Sequence, residues 1–217
     1  MPYVYELVRD HARVMAENDQ QREHANDLRK RGLMAPLPTA LAVDPGGTTG
    51  LAWGPLLLGA SSSVLDERLI EMLNWGQITG TEEHQARMIV KGALKIDARV
   101  IIVESSDHFL LKAGNNLNKS SLIPVRIGAM VRGNLELLRH DGSVRWGSVI
   151  YEEQTPAMTK GVFSKARMAA LGLSLGHADR HSEDALKHLL MYFRRLKEGK
   201  VTMPPGVVDE ATERSDA

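Results

Sequence analysis

Cysteine is absent from the 217-residue chain. That excludes a disulfide framework, thiolate catalysis, cysteine-based zinc fingers and iron–sulfur ligation. Long hydrophobic runs are missing too. The longest, around residues 51–60, carries Gly and Pro and falls short of the roughly 20 residues that span a bilayer. Residues 1–10 contain acidic side chains and no apolar signal core, so a cytoplasmic protein without a membrane partner is expected. Charge of one sign is also lacking, with 27 Lys and Arg against 27 Asp and Glu. A domain that holds nucleic acid by bulk charge is usually basic, and the sum alone argues against one. The distribution is uneven, however. Basic residues outnumber acidic ones between Lys112 and Arg180, and the C-terminal tail is acidic. The 43% hydrophobic and 25% charged content is otherwise ordinary for a globular protein, long enough to bury a core without staples.

Residues 3–31 contain no Gly or Pro and read as helix, apolar early (Val4, Leu7, Val8, Val14, Met15) and almost wholly polar over 17–30. A helix polar all round faces solvent or is marginal. Gly32 and Pro36-Leu37-Pro38 end it. This makes 1–38 a helical arm and linker and 39–199 the folded domain. Residues 200–217, containing Pro204-Pro205-Gly206, read as a disordered tail.

Within the domain, Leu41-Ala42-Val43 is a short apolar run that stops at Asp44-Pro45-Gly46-Gly47, a strand followed by a turn. A second strand over 51–53 follows Gly50 and closes a hairpin. Residues 69–78 offer a third strand, although Leu69-Ile70-Glu71-Met72-Leu73 reads equally as helix. Thr81 caps a helix whose apolar positions include Met88, Ile89, Leu94 and Ile96. Val100-Ile101-Ile102-Val103 describes a strand buried on both faces, as in a parallel sheet covered by helices. A long helix over 120–139, a strand over 148–154 and a short helix over 165–173 come next. The last element is an amphipathic helix over 181–197, with Ala185, Leu186, Leu189, Leu190, Phe193 and Leu196 on its apolar face. There is no internal repeat. The order predicts an α/β fold, one central sheet flanked by helices.

Asp44 and Glu104 are each the first polar residue after a hydrophobic strand. If the two strands lie side by side and parallel, the carboxylates sit together, which raises one pKa or recruits a cation. Hard oxygen ligands favour Mg²⁺ or Mn²⁺. Glu152 or Glu153 is a weaker third acid. His181 and Asp184, three apart, emerge on nearly the same helix face, and His188 lies one turn beyond Asp184. Each has a plainer reading as well: Asp44 as a turn former, Glu104 as a loop charge, and His181 and Asp184 as helix-start polarity.

Together these segments resemble a known family. Leu41-Ala42-Val43-Asp44-Pro45-Gly46-Gly47-Thr48-Thr49-Gly50-Leu51-Ala52-Trp53-Gly54 resembles the opening hairpin of RuvC-type Holliday junction resolvases, and Val100-Ile101-Ile102-Val103-Glu104 is similar to the strand carrying that family's second acid. His181-Ser182-Glu183-Asp184-Ala185-Leu186 looks like the start of its final helix. The resemblance spans roughly 40–197 in matching order. It implies an RNase H-like fold with a mixed sheet, an antiparallel hairpin plus parallel strands. It also implies a homodimeric endonuclease that cuts four-way DNA junctions by paired nicks, with two Mg²⁺ or Mn²⁺ ions per active site. By position, Asp44 would bridge the metals, with Glu104, His181 and Asp184 completing the ligands. Two such ions activate a water and stabilise the leaving 3′-oxygen without a side-chain nucleophile.

Further parts of the family pattern fall on Lys160 and Lys165, which would contact phosphate, and on Phe109, which would stack on a base. Lys112, at the start of the basic stretch, joins them as a DNA contact. Surface lysines also serve solubility, and Phe109, five residues past Glu104, also reads as a core residue. The helix over 120–139, with Gly128, Ala129 and Gly133, matches the dimer-forming helix, although Pro124 lies in its first half. Zero net charge, the arm over 1–38 and the spacing to Phe109 depart from the family and suit a divergent, for instance phage-encoded, member. Three rivals compete: a phosphotransferase of the actin and sugar-kinase class with a phosphate-binding Asp44–Thr49 turn, a non-catalytic junction-binding module, and a nuclease for flaps or RNA–DNA hybrids.

Overall fold

The apolar run Leu41-Ala42-Val43 lies inside the first strand, β1 (Thr39–Asp44), every residue of which is buried. The structure is a computed structural model that describes residues 38–56, 67–105, 119–140, 149–205 and 207. Most of the expected arm over 1–38, the DNA-contact candidates Phe109 and Lys112, and residues 208–217 of the tail lie outside the described residues. Among those described, β1 turns into β2 (Thr48–Pro55), followed by a short helix α1 (Glu67–Glu71), β3 (Asn74–Thr79), α2 (Glu82–Lys95) and β4 (Ala98–Glu104). Then come α3 (Lys119–His140), β5 (Ile150–Gln154), α4 (Pro156–Lys160), α5 (Lys165–Ala170) and α6 (Arg180–Lys197).

The five strands form one sheet in the order β3-β2-β1-β4-β5. β1 pairs antiparallel with β2, and β2 with β3. β4 runs parallel to both β1 and β5. This is the expected mixed sheet, an antiparallel hairpin plus parallel strands, flanked by helices. Its core divides by the two-residue period of the strands. Ala40, Ala42, Val100 and Ile102 face one side, against Leu186, Leu189, Leu190 and Phe193 of α6. Leu41, Val43, Ile101 and Val103 face the other, against Ala86, Ile89 and Val90 of α2 and Ile127, Val131 and Leu135 of α3.

Several boundaries differ from expectation for local reasons. Both readings of 69–78 hold in part, because the chain makes a helical turn through Glu71 and becomes extended at Asn74. The short helix starts at Lys165 as expected, with the Ser164 side chain accepting from the Arg167 N–H. It ends at Ala170, two residues before Gly172 takes a left-handed backbone conformation (φ +69°). Helix α3 runs through Pro124, which falls within its first two turns. The five-residue α4, with Pro156 in its first turn, was not anticipated. The beginning of the segment read as a disordered tail is packed instead: Val201, Met203 and Val207 lie against the α6 side of the core and Pro204 is buried. Those apolar side chains offset the ordering cost that a Pro- and Gly-bearing composition suggests.

Candidate active site

Register carries the two strand-end acids to the same end of neighbouring interior strands. Val43 pairs with Val103 in the parallel β1–β4 ladder, and Asp44 and Glu104 follow these residues as the last of their strands. Across the hairpin, Asp44 pairs with Gly50. A Cβ at Gly50 would stand 2.0 Å from the His181 carbonyl oxygen, so only glycine lets the first turn of α6 rest on β2 beside Asp44. The hairpin turn is itself gripped by α2. Thr49 is fully buried, its hydroxyl donates to Gln85 Oε1, and Gln85 Nε2 donates to the carbonyls of Gly47 and Gly80.

The N-terminal half of α6 then presents His181, Asp184, Lys187 and His188 to the strand ends. His181 Nδ1 lies 2.7 Å from Asp44 Oδ2. Buried His188 places Nε2 2.9 Å from Glu104 Oε2. Lys187 Nζ sits 2.8 Å from Asp184 Oδ1 and 3.0 Å from Glu183 Oε1. Asp44, Glu104, His181 and Asp184 all line one open cavity of about 760 Å³. Lys160, at the end of α4, and Lys165, at the start of α5, line the same cavity and are exposed. Glu152 pairs with Arg195, and Glu153 is exposed on β5; neither lines the cavity.

The charges in the cavity are coupled. Burial pushes the Asp44 carboxyl above its ordinary value; the His181 hydrogen bond opposes this, while the nearby Glu104 and Asp184 charges add to it. The hydrogen bond to Asp44 raises His181 against the opposing effect of burial. Burial alone would lower Lys187, but its bonds to Asp184 and Glu183 outweigh that and raise it. Among the described residues no three His, Asp or Glu side chains converge tightly enough, as they stand, to enclose a metal ion. Each of the three carboxylates is instead turned to a basic partner: Asp44 to His181, Glu104 to His188 and Asp184 to Lys187. The donor types nevertheless suit a hard divalent cation, three carboxylates and an imidazole facing one space.

The chain matches no protein-family model and no curated protein. Among solved structures it is similar to one described as T. thermophilus RuvC in complex with Holliday junction substrate. The identity is 17% and the TM-score 0.49, over 77% of this chain and 99% of that one. This likeness assigns no residue a role.

Sequence reasoning gave no role to three residues at the site. His188 carried a usable signal, since positions 181, 184 and 188 share one helix face. Lys187 reads in sequence as an ordinary solvated helix charge. Gln154, fully buried at the end of β5, gave no signal, because its burial depends on α6 packing over it.

Proposed function

We propose that this chain is a structure-selective DNA endonuclease that resolves four-way junctions by paired nicks, using divalent-metal-assisted phosphodiester hydrolysis. The observation that carries this reading is the meeting of Asp44 and Glu104, from adjacent parallel strands, with His181 and Asp184 in one cavity flanked by Lys160 and Lys165. Asp44, Glu104, His181 and Asp184 would hold Mg²⁺ or Mn²⁺. Such ions supply a hydroxide-like nucleophile at neutral pH and offset charge on the leaving oxygen. The protein's own part is to bind and orient. Lys160 and Lys165, exposed at the cavity edge, suit phosphate contacts that position a strand without reading its bases. Buried Asp44, fixed at the strand end, anchors the donor set.

A homodimer matches the two-fold symmetry of a four-way junction, because identical sites nick opposed strands. On α3, Ala129, Gly133 and the strongly exposed Leu137 recur every four residues and support that helix as the contact. Gly128 does not join them; it is buried against Val103 and Tyr151.

A phosphotransferase is disfavoured by Thr49, whose hydroxyl is buried against Gln85 rather than open to a phosphate. The internal ion pairs favour one second reading, a module that binds junctions without cutting them. Incubating the full chain with a four-way junction, a flap and an RNA–DNA hybrid, in Mg²⁺, Mn²⁺ or chelator, separates these. Symmetric nicks in the junction that require the metal are expected. Junction binding with no cutting in either metal would establish the binding module, and preferential cutting of the hybrid or flap would change the substrate.

A further inference from the structure

Glu104 is the most elaborately supported of the candidate ligands. Its Oε2 meets His188 Nε2 at 2.9 Å, and His188 is almost wholly buried. The other ring nitrogen, Nδ1, lies 3.2 Å from Gln154 Oε1. Gln154 Nε2 donates in turn to Glu152 Oε1, and the same oxygen accepts from Arg195. Five side chains from β4, β5 and α6 thus form one line, from half-buried Arg195 to the cavity wall.

Chemistry sets the direction of this line. A guanidinium only donates and a carboxylate only accepts. Glu152 therefore takes a hydrogen from Gln154 Nε2, which leaves Gln154 Oε1 as an acceptor. Gln154 Oε1 and Glu104 Oε2 both accept, so each of these ring bonds needs a hydrogen on its own nitrogen, and the ring is pinned between them. Glu104 Oε1 has no hydrogen-bond partner among the described residues, so the carboxylate keeps one oxygen uncommitted while the other is held.

We infer that His188 is the positioning residue for Glu104, and that Gln154, Glu152 and Arg195 act through it by fixing the ring. This rests on the reading of Glu104 as a metal ligand. Partners of this kind orient a ligating carboxylate, and their loss costs roughly 10–100-fold in metal affinity. A histidine that merely filled core volume would be replaceable by leucine with no such effect.

The test uses the full chain and Mn²⁺ as the probe, with affinity measured by electron paramagnetic resonance and folding by thermal unfolding. His188→Leu should weaken Mn²⁺ binding about tenfold or more while still unfolding cooperatively. His188→Gln, which keeps an N–H for Glu104, should recover most of that loss. If His188→Leu does not fold, Gln154→Met loosens the ring from its far side and should give a smaller fall in the same direction. Wild-type affinity in a folded His188→Leu, or in Gln154→Met where His188→Leu does not fold, would overturn the inference and leave the nuclease reading intact. If the wild type binds no Mn²⁺, the metal-ligand reading fails instead. The relay is then judged on metal-free protein by ¹⁵N spectroscopy of the His188 ring. A protonated Nδ1 whose signal moves in Gln154→Met supports the relay, and a bare Nδ1 overturns it.

Discussion

His181 Nδ1 and Asp44 Oδ2 stand 2.7 Å apart, joining the first turn of the last helix to the end of the first strand across 137 positions of sequence. The contact depends on Gly50, which pairs with Asp44 in the hairpin and lies directly beneath the His181 backbone. One short hairpin thus carries an acid and also clears the space for the helix that brings its partner.

If Asp44 and Glu104 hold the metal, Asp44→Asn and Glu104→Gln should each lower junction cutting by more than the roughly 10–100-fold that follows loss of an outer-shell partner. Junction binding, measured by gel shift in Ca²⁺, should change little. Near wild-type nicking by either variant would remove that residue from the site.

The clearance at Gly50 can be tested without any substrate. Gly50→Ala places a Cβ 2.0 Å from a backbone oxygen, which no side-chain rotation relieves. Overpacking of this kind costs typically about 1–3 kcal/mol, and a backbone clash belongs at the upper end or beyond. Gly47→Ala, where nothing lies within 4 Å of the added carbon, serves as the control and should be nearly neutral. Urea unfolding of the two variants should separate them clearly; equal midpoints would mean that α6 does not rest on Gly50.

The His181–Asp44 pair also has a pH signature. Both groups are raised in the folded state, His181 by the hydrogen bond to Asp44 and Asp44 chiefly by burial. A raised value means that the native state binds the proton more tightly than the unfolded chain, so stability from the pair is lost as pH rises. For His181 it is fully present below the unfolded value of about 6.5 and disappears as pH passes through the higher folded value. In chelator, the Tm advantage of wild type over His181→Gln should therefore be larger near pH ~6 than near pH ~9. NMR titration should show His181 above ~6.5 in wild type and moving back towards it in Asp44→Asn. An advantage that grows with pH would contradict the pairing.

The acids at the strand ends were legible because an apolar run buried on both faces can stop at a carboxylate only where the strand leaves the sheet. The i, i+3 pair His181 and Asp184 was legible from helix geometry alone. The relay behind Glu104 was not. A buried glutamine such as Gln154 looks like any polar residue until α6 is seen lying over it, and the pairing of Glu152 with Arg195 joins elements 43 positions apart. The packing of Val201 and Met203 was hidden by the Pro204-Pro205-Gly206 run that follows them, whose composition signals disorder while the apolar side chains before it find the core.

Lys187 gives the sharpest test of how the cavity handles charge. Its ammonium bridges Asp184 and Glu183, at 2.8 and 3.0 Å, and so competes with any other cation for Asp184. Lys187→Met removes the competitor, takes the ammonium from Glu183 and leaves Asp184 only the more distant Arg180, 4.0 Å away. In chelator the variant should lose about 1–3 kcal/mol, less than the ~3–5 typical of a fully buried pair, because Asp184 remains 32% exposed. Added Mn²⁺ should then raise the Tm of Lys187→Met by more than it raises that of wild type, since a ligand that binds only the folded state stabilises it more the tighter it binds. A smaller Mn²⁺ shift in the variant would mean that Lys187 assists the cation, holding Asp184 in place for it rather than occupying its position.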